Sequence, residues 1–377
     1  MKILITGGAG FIGSHLSPTL LAAGHEVRIL DTLSPQIHGH VPENTSWLTT
    51  TPNLEFMRGS VTNREDLTRA IDGMDAIVHL ASETGTGQSM YEISRYCQEN
   101  VQGTAELCEV LATVPGHTVG RVLLSSSRSV YGEGAYLRPS DGQRMTPEAR
   151  TASALKERQW EPVCPQAGEL LTLAATREDD RTAPSSIYAA TKVMQEDLLR
   201  ITCDSTGIGF GILRLQNVYG EGQSLKNPYT GILSIFSTRI RRGLELPIFE
   251  DGLESRDFVH VSDVAAAFSA ALSRPEAPNQ VINVGYGTPT SVIEVAESLS
   301  RAFGATPDTR VTGQYRLGDI RHNAADTTRL REVLGLTPAV SLQEGLNRFA
   351  AWVQTQPLPE DLSAKANEEL KARNMMG

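Results

Sequence analysis

Gly7-Gly8-Ala9-Gly10-Phe11-Ile12-Gly13 follows directly on the apolar run Lys2-Ile3-Leu4-Ile5-Thr6 and leads into the amphipathic stretch Phe11 to Ala23, which stops at Gly24. The run reads as a buried strand and the stretch as a helix, with the glycines turning the chain between them. Side chains at Gly7, Gly10 and Gly13 would block the tight turn, the approach of backbone to a pyrophosphate, and the close contact of helix with strand. The helix start, at Phe11 and Ile12, offers free N–H groups and a positive dipole end to phosphates. A glycine triplet alone also fits a plain tight turn, so the context matters. A second apolar run, Glu26 to Leu30, stops at Asp31, close to the ~20 residues at which an acid binds a ribose diol. A carboxylate there repels a 2′-phosphate, which favours NAD over NADP.

Outward from this unit the pattern repeats. Leu54 to Arg58, Ala76 to Leu80 and Arg121 to Ser125 are short apolar strands, with Arg64 to Ile71 and Tyr91 to Thr113 suited to helices between them. Alternation at this spacing predicts βαβ units and a parallel sheet covered on both faces. Right-handed crossovers make it a doubly wound, Rossmann-type α/β sheet. Gly209 to Leu215 and Gln280 to Val284 rejoin that sheet. Residues 1–216 and 257–290 are therefore expected to form the NAD-binding domain. Residues 217–256 and 291–355 should form a smaller, mostly helical substrate-binding domain, and 356–377 a peripheral or mobile tail. Glu133 to Pro184 is polar and long for a loop, an insert in the first domain.

The chain has 377 residues, 34 Lys and Arg against 44 Asp and Glu, and a net charge of −10 without a basic run. Nucleic acid and anionic membrane surfaces are therefore poor partners. No apolar stretch approaches the ~18 residues of a membrane span, and the opening run reaches glycine too soon for a signal-peptide core. The four cysteines (Cys97, Cys108, Cys164, Cys203) form no CxxC pair, so neither zinc nor a disulfide framework is implied. A soluble cytoplasmic protein with reduced thiols and no metal is expected.

Tyr188-Ala189-Ala190-Thr191-Lys192 sets a phenol and an ammonium one turn apart on a helix. Lys192 beside a cationic nicotinamide ring would favour the phenolate and make Tyr188 a general base for a substrate hydroxyl. The same spacing occurs on ordinary amphipathic helices; the glycine loop favours the catalytic reading. Ser125-Ser126-Ser127 ends the strand beginning at Arg121 and precedes Val130-Tyr131-Gly132. A serine hydroxyl there can share a hydrogen bond with the tyrosine and the reacting oxygen.

Together these motifs resemble the extended short-chain dehydrogenase/reductase family, within it the nucleotide-sugar epimerases and dehydratases. The resemblance spans Met1 to about Trp352. It also rests on His79-Leu80-Ala81, Asn100 to Thr104, Arg214-Leu215-Gln216-Asn217-Val218-Tyr219-Gly220, Arg256 to Val261 and Arg316 to Asp319. It implies catalytic roles for Ser127, Tyr188 and Lys192. NAD would be held by Gly7, Gly10, Phe11, Ile12, Gly13, Asp31, Leu80, Ala81, Asn100, Tyr188 and Lys192, with Ser60 and Val61 where the family has an Asp and an apolar residue near the adenine. A nucleotide sugar would meet Ser82, Thr84, Ser127, Arg128 and Tyr188, its diphosphate held by Asn217, Arg256 and Arg316. For the two arginines, surface salt bridges are the competing reading. Asp75 and His79 would shape the sheet or the cofactor groove. A homodimer joined through Tyr91 to Thr113 and the helix of Tyr188 is also implied. Cys97 and Cys108, eleven apart, would share a face there.

The family's 4,6-dehydratases carry Thr-Asp-Glu where this chain has Ser127-Arg128-Ser129, so dehydration is not expected. The 3,5-epimerases place a cysteine near this point, and none is here. What remains suits 4-epimerisation with tightly bound NAD and a 4-keto intermediate. Leu30 to Gly39 and Ala81 to Met90 resemble the branch acting on dTDP-L-rhamnose to give dTDP-6-deoxy-L-talose, a product suggesting cell-surface polysaccharide synthesis. Alternatives are a UDP-glucose/UDP-galactose 4-epimerase and an NAD(P)-dependent 4-ketoreductase or dehydrogenase of nucleotide sugars. A non-catalytic NAD sensor would typically lack the tyrosine or lysine. Ser127 and Tyr188 lie about twice as far apart as the family's usual separation. The surplus either lids the sugar, using Arg128, Arg138 or Arg144, or is a surface elaboration.

Overall fold

The structure is a computed structural model and describes residues 1–39, 45–225, 231–274, 279–361, 363–373 and 375–377. Its centre is a seven-stranded sheet of β1 (Lys2–Thr6), β2 (Glu26–Asp31), β3 (Leu54–Arg58), β4 (Ala76–His79), β5 (Arg121–Ser127), β6 (Gly209–Leu215) and β7 (Gln280–Val284). All neighbours pair in parallel, in the order β7-β6-β5-β4-β1-β2-β3. The order reverses between β1 and β4. In a doubly wound sheet, ligands bind at that point, beyond the carboxyl ends of the strands.

The pleat explains the unbroken apolar runs. Ile3 and Ile5 of β1 pack on one face with Leu16 and Leu20 of α1 (Phe11–Ala22). Leu4 packs on the other face with Leu67 of α2 (Arg64–Ile71), Leu107 of α3 (Gly103–Thr113) and Leu199 of α4 (Ile187–Thr206). Successive side chains alternate faces, and both faces are covered, so every position is apolar. α5 (Val261–Ser273) closes the first face with Val264 and Phe268.

A second core lies between the helices Ile232–Arg241, Val292–Ala302 and Leu342–Thr355, built from Phe236, Leu299, Leu346 and Phe349 among others. Small sheets accompany it, Leu246–Ile248 pairing with Thr309–Val311. Helix Thr328–Leu334, within the stretch expected to belong wholly to this second unit, instead sends Leu330 and Leu334 into the first core with Leu272 and Ile282.

Between β5 and α4 the chain folds a small sheet of Tyr136–Leu137, Arg144–Met145 and Thr172–Leu173 over a cluster of Tyr136, Cys164 and Leu171. A buried charge network docks it. Arg321, 1% exposed, meets Glu161 of the insert together with Glu250 and Asp251. The last residues of the chain make backbone contacts with the body of the protein. Tyr315 and Gly377 exchange backbone hydrogen bonds of 2.9 and 3.0 Å, and Leu317 N–H donates to Met375 at 2.9 Å. Cys97 is exposed and Cys108 buried, so they share no face. The turn Cys97–Gln102 winds as a π-helix, which rotates α3 out of register with the residues before the turn.

Candidate active site

The glycine loop has no room for side chains. Gly7 takes φ +68°, and a Cβ there would lie 2.7 Å from the Ala81 backbone; one on Gly13 would lie 2.3 Å from the Gly8 carbonyl oxygen. No described side chain caps α1, so the amides of its first turn remain open at the wall of a cleft of about 1400 Å³. Asp31 holds the loop by accepting from Ala9 N–H at 3.0 Å and Leu33 N–H at 2.8 Å. A carboxylate with about four lone-pair positions keeps capacity for a diol. Gly7, Gly10, Phe11, Ile12, Gly13, Asp31, Ser60, Val61, Leu80 and Ala81 all line this cleft. A glycine cradle that a Cβ would fill, open helix amides and a ribose-binding carboxylate fit a dinucleotide.

Asn100 lies behind that wall. It is fully buried, accepts from Glu83 N–H at 2.7 Å and donates to Thr191 at 2.9 Å, so it shapes the Ser82–Glu83 loop. His79 lies deeper still, 2.7 Å from the Thr6 hydroxyl and 3.1 Å from that of Thr104. Burial holds its pKa at about 3, so it is a neutral framework residue.

At the other end of the cleft stand Ser82, Thr84, Ser127, Arg128, Tyr188 and Asn217. Ser127 ends β5 and caps the turn Arg128–Tyr131. Its hydroxyl oxygen accepts from Ser129 N–H at 3.2 Å and from the Ser129 hydroxyl at 3.0 Å. Its own proton stays free to donate. Tyr188 sits in the first turn of α4, whose start Ser186 caps. Burial raises the pKa of the phenol, while the Ser127 hydroxyl and the Arg128 charge pull it down. Lys192 is buried and donates to the Ser125 carbonyl at 3.0 Å, and burial lowers its pKa to about 7.

The structure does not bring every candidate to the cleft. Lys192, Asn100, Arg256 and Arg316 are not among the residues that line it. Arg256 donates to the carbonyls of Ser255, Ile320 and Arg321. Arg316 donates to Asn367 of the docked tail at 2.9 Å and stacks over Phe249. No described residue of 133–184 lines the cleft either. Arg138 and Arg144 are paired with Asp141 and Asp180, inside the insert.

Two features escaped the sequence reading. Ser126 bonds Glu196, Glu196 pairs with Arg214 at 2.6 Å, and Arg214 donates to Tyr131 at 2.9 Å, a buried chain that braces the serine strand from behind. Gln216 lines the cleft although it is only 5% exposed. Its place directly before Asn217, just past the carboxyl end of a strand, was the available signal.

A family model for the NAD-dependent epimerase/dehydratase family matches residues 3–154 and 164–285. The chain belongs to the NAD-dependent epimerase/dehydratase family. It is 39% identical over 354 residues to the dTDP-L-rhamnose 4-epimerase of Burkholderia thailandensis, covering 93% of this chain and 94% of that one. It is 34% identical to the UDP-glucose 4-epimerase of Mycolicibacterium smegmatis, covering 92% and 96%. Among solved structures, UDP-glucuronic acid 4-epimerase from Bacillus cereus with UDP-glucuronic acid and NAD matches at TM-score 0.76 and 25% identity, covering 94% of this chain and 99% of that one. UDP-glucose 4-epimerase from Thermotoga maritima matches at TM-score 0.73 and 28% identity with the same coverage.

As a member of this family the protein is an NAD-dependent enzyme. The described residues hold no metal-binding cluster, and none of their helices is long and apolar enough to cross a membrane. Tyr188 and Ser127 line the cleft together with the hydroxyls of Ser82, Thr84 and Ser129 and the carboxylate of Glu83.

Proposed function

We propose that the enzyme is a nucleotide-sugar 4-epimerase converting dTDP-L-rhamnose to dTDP-6-deoxy-L-talose. The observation that carries this reading is the turn Ser127-Arg128-Ser129 at the sugar end of the cleft. Elimination of water needs an acid and a base besides the phenol, and this turn supplies neither. Tyr188 takes the proton of the sugar's 4-hydroxyl, and Ser127 donates a hydrogen bond to the same oxygen. Arg128 favours the phenolate by its charge. NAD, when bound, supplies a hydride acceptor and donor for the sugar's C4. The 4-keto sugar turns over within the cleft, and Tyr188 returns its proton to the new 4-hydroxyl, so the products carry no net redox change. The 39% identity to a dTDP-L-rhamnose 4-epimerase supports this substrate, whereas the UDP-glucose 4-epimerase relative supports a UDP-hexose as the second reading.

The protein would work as a homodimer in the cytoplasm. Ile93 (47%), Met194 (50%) and Ile201 (58%) are exposed apolar side chains on the two helical segments that would form the interface. All four cysteines are free, which suits a reducing compartment. The product points to cell-surface polysaccharide synthesis. Arg256 and Arg316 would hold the diphosphate once their present carbonyl and Asn367 partners give way, while Asn217 already lines the cleft.

Incubation with dTDP-L-rhamnose, UDP-glucose and UDP-galactose without added cofactor, followed by NMR of the products, tests the proposal. Epimerisation of the rhamnose compound alone is the expected result. Turnover of the hexoses instead would replace the substrate. A strict need for external NADH or NADPH would replace the epimerase with a reductase.

A further inference from the structure

We propose that Arg128 and Gln216 act as a pair that reads the sugar's hydroxyl groups next to the reacting carbon, and so determine which sugar is accepted. The inference rests on the nucleotide-sugar reading above and adds the residues that discriminate within it.

The sheet sets the two side by side. Ser127 of β5 and Leu215 of β6 are direct partners in the parallel register. Arg128 and Gln216 directly follow those strands, Arg128 opening the turn Arg128–Tyr131, at the carboxyl edge where Ser127 and Tyr188 stand. Gln216 is anchored by its own N–H, which donates to Val284 at 2.9 Å. A Cβ on Gly285 would lie 2.5 Å from Gln216 Cγ, so that glycine leaves the space the glutamine stem fills.

Neither polar head has a hydrogen-bond partner among the described residues. Both amide atoms of Gln216, Oε1 and Nε2, are buried without a hydrogen bond, although the residue lines the cleft. Among the described residues the Arg128 guanidinium makes no hydrogen bond or close ion pair, the charges of Asp319 and Glu133 acting on it only from a distance, in contrast to Arg150, Arg214 and Arg321. A buried amide and a half-buried guanidinium left unpaired cost stability unless a ligand satisfies them. A guanidinium only donates, an amide donates and accepts, and a sugar hydroxyl does both. An amide can serve either face of a ring by rotating about its last bond, which suits a sugar that must be held in two poses.

Gln216→Leu keeps shape and removes the amide; Arg128→Met removes the guanidinium in the turn after β5. Each should lower kcat/KM for the accepted nucleotide sugar about ten- to a hundredfold, with NAD content per chain unchanged. Thermal shifts separate the alternatives. The nucleoside diphosphate alone (dTDP or UDP) should shift Tm equally in wild type and variants, while the added shift from the full nucleotide sugar is lost. The free Gln216→Leu enzyme should melt no lower than wild type, because an unsatisfied amide has been removed. Wild-type discrimination among dTDP-L-rhamnose, UDP-glucose and UDP-galactose in both variants would overturn the pair. If wild type responds to no nucleotide sugar, the underlying functional reading fails, and the pair with it. Arg128→Met tests the pair independently should Gln216→Leu not fold.

Discussion

Lys192 donates to the backbone carbonyl of Ser125 at 3.0 Å and stands 5.8 Å from the centre of the Tyr188 ring. It is anchored to the strand beside the phenol rather than bonded to the phenol oxygen. The charge acting directly on that oxygen comes from Arg128. Burial opposes charge on both groups, raising Tyr188 and lowering Lys192 to about 7. Tyr188→Phe should reduce turnover by ~10²–10⁴-fold while leaving bound NAD and Tm near wild type. Product NMR beside an assay of NAD released on denaturation checks this. Wild-type turnover in the variant would remove the phenol as the base.

Gly13→Ala should cost the enzyme its cofactor. The added Cβ would lie 2.3 Å from the Gly8 carbonyl oxygen, forcing helix and loop apart, an overpacking worth ~1–3 kcal/mol. Absorbance of the purified protein near 260 nm should fall toward that of bare protein. Gly24→Ala is the control: it strains a φ of +81° but meets nothing within 4 Å, away from the cleft. NAD retained by Gly13→Ala would show that the loop tolerates the shift.

Acid stability should depend on His79. Its folded pKa is held near 3 by burial, against 6.5 for the free side chain. Between those values the unfolded chain binds a proton that the folded chain refuses. Stability is therefore full above pH 6.5 and falls as pH drops toward 3, by ~1.4 kcal/mol per pH unit from this residue. His79→Gln, which can still bond Thr6 and Thr104, should flatten the slope of urea-unfolding free energy over that window. Parallel slopes for the two proteins would assign the acid sensitivity elsewhere.

Arg321 ties the insert to the second domain. Removing its guanidinium in Arg321→Met leaves Glu161, Glu250 and Asp251 without their shared cation, and breaking a buried pair this way costs ~3–5 kcal/mol. Limited proteolysis should then cut within residues 133–184 before the rest of the chain. Equal protease resistance would mean that the strands and the Cys164 cluster hold the insert unaided.

Ile201→Glu and Met194→Glu should each yield a monomer by analytical ultracentrifugation. Both positions are at least half exposed on α4 in the single chain, and a carboxylate buried at an apolar interface is strongly disfavoured. A dimer surviving both substitutions would place the interface on another face.

Much of the frame was legible from residues near one another in sequence. The run from Lys2 to Asp31 specifies strand, turn, helix and strand through two short periods and the sterics of three glycines. Tyr188 and Lys192 share a helix face at a spacing any helix imposes. The insert was less legible. Its strands are two residues long, too short to show a period, and its anchor is a charge network from elsewhere in the chain. Arg256 and Arg316 read as diphosphate ligands because of the motifs around them. Their partners here, the carbonyls near Ile320 and the side chain of Asn367, are set by long-range packing.

The doubly wound sheet, the dinucleotide loop and the elements bearing Ser127 and Tyr188 are all written in local stretches of the chain. Those follow from backbone geometry and side-chain periodicity over a few residues, which any folded state of this chain must satisfy. Packing of the whole chain is what leaves Arg128 and Gln216 on one cleft without hydrogen-bond partners among the described residues, keeps the insert off that cleft, and docks the tail on Tyr315–Leu317. Each depends on which distant groups remain to satisfy a buried charge or amide, and that is known only once the whole chain has packed.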